Sequence, residues 1–171
     1  MSGPQMIALG FFLIIMAGSL ALMLPAASRT GEPTPFITAV FTATSATCVT
    51  GLVVVDTFSH WSLFGQIVLL CLIQIGGLGF ISLGVTVSLL LRKKIGLKQR
   101  GLIQESFNVL EIRGAVRLTK QVVFGTLFFE GTGALILSAC FIPKMGFLQG
   151  IYYGIFHSVS AFCNGGFDLM G

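Results

Sequence analysis

Residues 41–51 read FTATSATCVTG, and 115 positions later residues 156–166 read FHSVSAFCNGG. Both stretches follow the pattern F-x-x-x-S-A-x-C-x-x-G. We expect a short helix up to the cysteine and then a turn, because glycine permits backbone angles that other residues rarely adopt. The sequence therefore contains two copies of one structural unit.

The repeat extends beyond this motif. With the same shift and no gap, ten residues are identical over residues 6–51. Five of them precede the motif, namely Gly10, Gly18, Leu20, Leu22 and Gly31. Apolar helices give chance matches, but a clustered motif in the same frame does not arise easily, and a fixed period indicates repeated architecture. Each unit is interpreted as a spanning helix, an outer connection, a short helix and a turn, and a second spanning helix follows the first turn.

The composition is that of a membrane protein. Of 171 residues, 54% are hydrophobic and 9% charged, whereas soluble domains carry about 25% charged residues. Three apolar stretches are long enough to span a bilayer, residues 5–24, 62–91 and 121–142. Residues 1–28 have no charged side chain, so we expect a retained helix rather than a cleaved signal. The four cysteines form no C-x-x-C pair, and neither a zinc site nor a disulfide framework is indicated.

The basic residues are concentrated in one loop. Eight of the ten lysines and arginines lie within residues 92–120, and the positive-inside rule assigns such a loop to the cytoplasm. The N-terminus is then cytoplasmic as well, and residues 25–61 lie outside. A basic run also suits nucleic acid or anionic lipid, but a topology signal explains it more simply, and no nucleic-acid partner is expected. Helical stretches near residues 102–118 leave open a contact with a cytosolic partner.

The outer connection is too apolar to lie in water. Residues 36–55 contain no charged side chain, and irregular backbone in a membrane is tolerated only where it is buried in protein or lines a water-filled cavity. We therefore predict a re-entrant pore loop. Small residues spaced four apart favour close helix packing in each unit: Gly31, Pro35, Ala39 and Ala43 in the first, and Gly146, Gly150, Gly154 and Ser158 in the second.

The turn after each short helix has the chemistry of a cation site. A ring of backbone carbonyl oxygens replaces the water around a dehydrated potassium ion. The C-terminal end of a helix is partially negative and favours a cation nearby. One loop cannot form a ring, so several loops must surround a common axis.

The stretches SATCVTGL (residues 45–52) and SAFCNGGFD (residues 160–168) resemble pore loops of the Trk/Ktr/HKT superfamily of potassium transporters, most closely its bacterial Ktr membrane subunits. The resemblance covers nearly the whole chain. It implies four helix–pore helix–filter loop–helix units around one pore, with one filter glycine per loop. By position those glycines are Gly51 and Gly166, and the further filter carbonyls implied are those of Thr47, Cys48, Val49, Thr50, Cys163, Asn164 and Gly165. Because one and a half units are present, we expect a fragment.

The expected fold is an all-α integral membrane protein. Residues 1–91 form the first pore unit, with spanning helices at 5–24 and 62–91, a pore helix at 35–47 and a filter at 47–52. A basic cytoplasmic loop at 92–120 follows. Residues 121–171 form an incomplete second unit, with a spanning helix at 121–142, a pore helix at 149–162 and a filter at 163–168.

The resemblance also implies function and partners. The transported ion is potassium, the location is the bacterial plasma membrane, and no cofactor is required. The partners are the remaining pore units, a second copy in a homodimer, membrane lipid and a cytosolic ring of RCK-type nucleotide-binding regulators. A sodium-permeable relative stays open as an alternative, because one glycine per loop does not exclude it.

Several polar residues admit two interpretations. Glu130 lies in the third spanning stretch, where a carboxylate is a functional candidate by default. A structural role, in which it caps or braces a buried helix end or hydroxyl, is the favoured interpretation. Asp56 and Asp168 follow the loops, where they would concentrate cations or act as turn and capping residues. A membrane-embedded enzyme using Glu130 and His157 would need a convergent set of polar groups that the sequence lacks, so His157 is taken as a packing residue. The run Gly76-Gly77-Leu78-Gly79 follows no strand and is not taken as a nucleotide loop.

Overall fold

The structure is a computed structural model that describes residues 3–79 and 112–170. These ranges contain α-helices, a short 3-10 turn at Pro25–Ala27 and no β-strand. The helices are α1 (Gly3–Met23), α2 (Phe36–Thr47), α3 (Thr57–His60), α4 (Leu63–Leu78), α5 (Ile112–Met145) and α6 (Phe147–Phe162). The all-α prediction is thus confirmed for the described ranges.

The helix bounds differ from the expected ones mainly at α5. This helix is described from Ile112, nine residues before the predicted apolar stretch, because lysine and arginine are good helix formers and extend the helix beyond its apolar part. The second spanning helix was predicted to reach residue 91, whereas α4 ends at Leu78. Residues 80–91 of that helix and 92–111 of the basic loop lie outside the described residues.

One helical segment in the described ranges, Gln121–Met145, is long and apolar enough to cross a membrane. The other apolar segments are shorter, at Ile7–Met23, Phe36–Thr47 and Leu63–Leu78.

The two ends of the outer connection are bonded to each other. The Ser62 N–H donates to the Ala27 carbonyl at 2.8 Å, and the Arg29 N–H donates to the His60 carbonyl at 2.9 Å. Trp61 lies between these bonds and is fully buried. The end of α1 is therefore fixed against the start of α4, and α2 packs against both helices.

Helices α5 and α6 form a tight hairpin around small residues. A Cβ built on Gly150 would lie 2.7 Å from the Ile142 Cα, and one built on Gly154 would collide with Ser138. Ser158 bonds the Glu130 carbonyl at 2.7 Å. Gly146 is different, because a Cβ there meets nothing within 4 Å while its φ is +89°. The predicted stripe thus packs at three of its four positions, and Gly146 makes the turn.

Candidate cation site

The two predicted filter loops have the same backbone conformation. Val49 and Asn164, which match in the repeat, have φ of 56° and 58°. Gly51 and Gly166, which also match, have φ of 74° and 68°. Positive φ is rare outside glycine and is a genuine outlier for a β-branched residue such as valine. The two loops therefore share one backbone geometry, with positive φ at the same two positions of the repeat.

Backbone N–H groups of each loop turn back to the end of the preceding helix. The bonds occur at matching positions: Cys48 N to Thr44 O (2.8 Å), Thr50 N to Ser45 O (3.0 Å), Cys163 N to Val159 O (2.9 Å) and Gly165 N to Ser160 O (2.6 Å). In a trans peptide the N–H and the carbonyl of the preceding residue point in opposite directions, and no cis peptide is present in the described ranges. The carbonyls of these peptides therefore point away from the helix.

Two of these outward carbonyls, those of Val49 and Asn164, belong to the loops and are open to a ligand. Among residues 3–79 and 112–170, no protein donor bonds the carbonyls of residues 48–51 or 163–166. Both loops also follow the C-terminal ends of α2 and α6, which carry partial negative charge. The arrangement provides oxygen acceptors in a field that favours a cation.

The two loops meet at their glycines. A Cβ built on Gly51 would lie 3.1 Å from the Gly166 Cα and 3.2 Å from the Gly165 carbonyl oxygen. Residues that are 115 positions apart in sequence are thus in direct contact. Of the predicted filter residues, the structure brings Gly51 of the first loop against Gly165 and Gly166 of the second.

Thr47 is the exception among the predicted filter residues. Its carbonyl lies against Gly76 of α4, where a built Cβ would collide with it, and its side chain is buried and donates to the Ala43 carbonyl at 2.7 Å. The carbonyl of the last helical residue points along the helix axis, and Gly76 of α4 lies against it here. The structure therefore sets Thr47 apart from the free carbonyls that follow it.

The glycines of α4 make room for both loops. Gly76 accommodates Thr47, and a Cβ on Gly77 would lie 2.5 Å from the Cys163 Sγ. The sequence excluded this glycine run as a nucleotide loop. Its role in making room for Thr47 and Cys163 was not predicted.

The serines of the repeated motif, Ser45 and Ser160, form hydrogen bonds with residues of the loops that follow them. The Ser45 Oγ lies 2.9 Å from the Thr50 Oγ1. The Ser160 Oγ donates to the Phe167 carbonyl at 2.6 Å and accepts from the Phe167 N–H at 3.1 Å. Their conservation between the two units was the signal that could have identified this role.

Glu130 lies behind the second loop. Gln74 of α4 donates from Nε2 to the Glu130 Oε2 at 2.9 Å, and the Cys163 Sγ lies 3.7 Å from the Glu130 Oε1. The carboxyl group thus has protein partners on two other segments. Gln74 was not singled out in the sequence, because no local pattern marks its partner 56 residues away.

The acidic residues after the loops act as capping and turn groups. Asp56 accepts a bond from the Ser59 N–H at 2.6 Å at the start of α3, and Asp168 accepts one from the Met170 N–H at 2.9 Å. Hydrogen bonds from the Ser59 side chain and backbone hold the pKa of Asp56 below its usual value, with Arg29 contributing more weakly. These contacts account for both carboxylates without a bound ion.

His157 connects α6 to the residues after the second loop. Its Nδ1 lies 2.8 Å from the Tyr153 carbonyl, and its Nε2 accepts the Leu169 N–H at 3.3 Å. Both ring nitrogens of His157 therefore have backbone partners. The described ranges hold no group of three or more histidine, cysteine, aspartate or glutamate side chains that is suited to a metal ion.

Known proteins show the same sequence features. The profile of one protein family, described as "TrkH: Cation transport protein", matches residues 6–171. The potassium/sodium uptake protein NtpJ of Enterococcus hirae is 44% identical over 171 residues, which is 100% of this chain and 38% of that protein. The Ktr system potassium uptake protein B is 48% identical in Bacillus subtilis and 40% in Vibrio alginolyticus, over 97% of this chain in each case and 37% and 36% of those proteins. The chain therefore spans less than two fifths of the length of these relatives.

Proposed function

Because this chain belongs to the TrkH family of cation transport proteins, we propose that it forms part of a potassium-uptake pathway across the plasma membrane. Backbone carbonyls of residues 48–51 and 163–166 line the pathway in this proposal. The observation that carries it is the contact between Gly51 and Gly166, in two loops with matching backbone angles and free carbonyls.

Potassium enters such a pathway only if other oxygens replace its water. Rings of carbonyls do this, and the negative ends of α2 and α6 add a favourable field. Two loops supply half of a four-loop ring. The other oxygens come, in this proposal, from pore units beyond the part of the relatives that this chain matches.

Helices α2 and α6 act as re-entrant pore helices in this proposal. They have 12 and 16 residues, so at 1.5 Å per residue they are about 18 and 24 Å long, shorter than the roughly 30 Å hydrocarbon core. Large apolar side chains on α1 and α5 are exposed, among them Phe12, Leu13, Phe128 and Leu135. We assign these surfaces to lipid and to the remaining pore units.

We further propose a cytoplasmic N-terminus, a cytoplasmic loop at 92–120, a homodimer and a cytosolic RCK-type ring as partner. The charge bias of the loop supports this orientation, and relatives named as proteins of a Ktr system fit a transporter that works with other subunits. Copurification tests the contact. If neutralising Arg92, Lys93, Lys94, Lys98 and Arg100 left ring binding unchanged in inserted protein, the loop would not be the contact.

A sodium-permeable transporter is the second candidate. The relative from Enterococcus hirae is named a potassium/sodium uptake protein at 44% identity. A single glycine per loop is compatible with potassium or sodium. Measured uptake of the two ions therefore distinguishes the two candidates.

A membrane-embedded enzyme is disfavoured by the family, whose members are transporters. The two residues that such an enzyme would use also have protein partners. Glu130 is bonded to Gln74, and both ring nitrogens of His157 have backbone partners.

Ion flux into proteoliposomes containing the full-length protein tests the proposal. Potassium uptake with little sodium uptake supports it. Absence of any cation flux would exclude transport, and equal uptake of the two ions would favour the second candidate.

A further inference from the structure

Glu130 is buried in an apolar helix and bonded across three segments. It is 7% exposed and accepts the Gln74 amide at 2.9 Å. The Cys163 Sγ lies 3.7 Å from its Oε1 and 3.9 Å from the Gln74 Oε1. Helix α4, helix α5 and the second loop therefore share one polar cluster, which we call the Gln74–Glu130 bracket.

The packing of α5 on α6 does not require this carboxyl group. Ser158 bonds the backbone carbonyl of Glu130 at 2.7 Å, and any residue at position 130 provides that acceptor. Close approach of the helices comes from Gly150 and Gly154. An acidic side chain in a spanning helix is costly and usually functional, so the role of this one is defined by its side-chain partners.

Those partners are located where the second loop leaves α6. Cys163 is the C-cap of α6, and the peptides that follow it carry the free carbonyls of the loop. Gly77 leaves just enough space for the Cys163 side chain. The bracket therefore contacts the residue that sets the starting position of the filter carbonyls.

The first loop is held in a different way. Ile15 stands at the position that matches Glu130 in the repeat, and Cys48, which matches Cys163, is exposed. The first loop has instead a hydroxyl contact between Ser45 and Thr50. Two loops with one backbone geometry thus have chemically different supports.

We infer that Gln74 and Glu130 are positioning residues for the second filter loop, which act through Cys163 and thereby determine ion preference. The inference rests on the proposed function. Neither side chain touches the ion, and both set the place of carbonyls that do.

The test compares two glutamines of α4 in the full-length protein, the half-buried Gln74 and the buried Gln66. Gln74→Leu removes the bracket, whereas Gln66→Leu removes an amide that bonds Trp61 and Tyr152 outside the loops. The potassium-to-sodium uptake ratio and the KM for potassium are measured, and uptake is normalised to the amount of inserted protein. Gln74→Leu and Glu130→Leu are each expected to lower the ratio about threefold to tenfold, the factor for losing one buried hydrogen bond. Gln66→Leu lowers the inserted amount and leaves the ratio unchanged.

Two further variants make the test specific. Glu130→Gln keeps an acceptor and is expected to lower the ratio less than Glu130→Leu. The double variant Gln74→Leu/Glu130→Leu is expected to lower the ratio by less than the product of the single effects, because residues of one network are not additive.

The variant Gly166→Ser distinguishes a failure of this inference from a failure of the proposed function. If Gly166→Ser lowers the ratio and the bracket variants do not, the inference is wrong and the proposed function stands. If Gln66→Leu lowers the ratio as much as Gln74→Leu, the bracket has no specific role and the inference is also wrong. If Gly166→Ser leaves the ratio unchanged, the proposed filter is wrong and the inference with it.

Discussion

A Cβ atom on Gly166 would lie 2.8 Å from the Cα of Gly51. Such a separation is not observed between real side chains and backbone, so neither position tolerates a side chain without movement of the facing loop. Both residues also have positive φ. The contact places the two candidate filter loops side by side at the residues that the repeat aligns.

The turn before α6 should respond to substitution through its backbone rather than through crowding. Gly146→Ala adds no contact within 4 Å but places a side chain at φ 89° and ψ 168°, a region essentially restricted to glycine, so we expect a loss of about 1–3 kcal/mol. Gly150→Ala meets the Ile142 backbone at 2.7 Å and should reduce the amount of inserted protein more. Thermal unfolding in detergent and the inserted amount measure both effects. A smaller loss for Gly150→Ala than for Gly146→Ala would contradict the packing described for this hairpin.

Substitution of Gly76 or Gly77 in α4 should displace the loop residues that pack against them. A Cβ on Gly77 lies 2.5 Å from the Cys163 Sγ, and one on Gly76 collides with the Thr47 carbonyl. We expect Gly77→Ala to lower the potassium-to-sodium ratio and Gly76→Ala to lower the inserted amount. Gly125→Ala is the control, because it meets nothing within 4 Å and replaces glycine inside a helix, a change worth up to about 1 kcal/mol of stabilisation. Equal behaviour of all three variants would contradict the contacts.

The Asp56 cap of α3 should make a pH-dependent contribution to stability. The pKa of Asp56 is lowered in the folded protein, so the ionised carboxylate stabilises the fold above its usual pKa, and this stabilisation is lost as pH falls through the lowered value. The variant Asp56→Asn should unfold at a slightly lower temperature than the parent at neutral pH. The difference should shrink in acid. A difference that stayed constant from neutral to strongly acidic pH would show that the charge is not responsible.

The local geometry of the loops could be predicted from sequence. The motif with its serine, cysteine and glycine recurs at a fixed shift, and backbone angles and helix-end bonds recur with it. These features depend on contacts within about seven residues, which a motif contains. The helix class also followed from sequence, because apolar stretches of this length form helices in a membrane.

The relations between segments could not be predicted in the same way. The Gln74–Glu130 bond and the contact of Thr47 with Gly76 join residues on different helices, and no periodicity in the chain reports how those helices cross. Thr47 was therefore grouped with the loop carbonyls, since nothing in the local sequence indicates its contact with Gly76. The membrane-length segment begins at Gln121, as the apolar pattern predicted, and helix continues through the charged residues before it, because a charged stretch ends an apolar pattern without ending a helix.

The most direct test of the account is the potassium-to-sodium uptake ratio of the full-length protein carrying Gly51→Ser. Its control is Gly31→Ser, since Gly31 has nearly the same φ but open space around it. Strain of about 1–2 kcal/mol at the filter should lower the ratio about fivefold to thirtyfold, whereas the control should lose stability alone. An unchanged ratio in properly inserted Gly51→Ser would contradict the assignment of these loops as the filter.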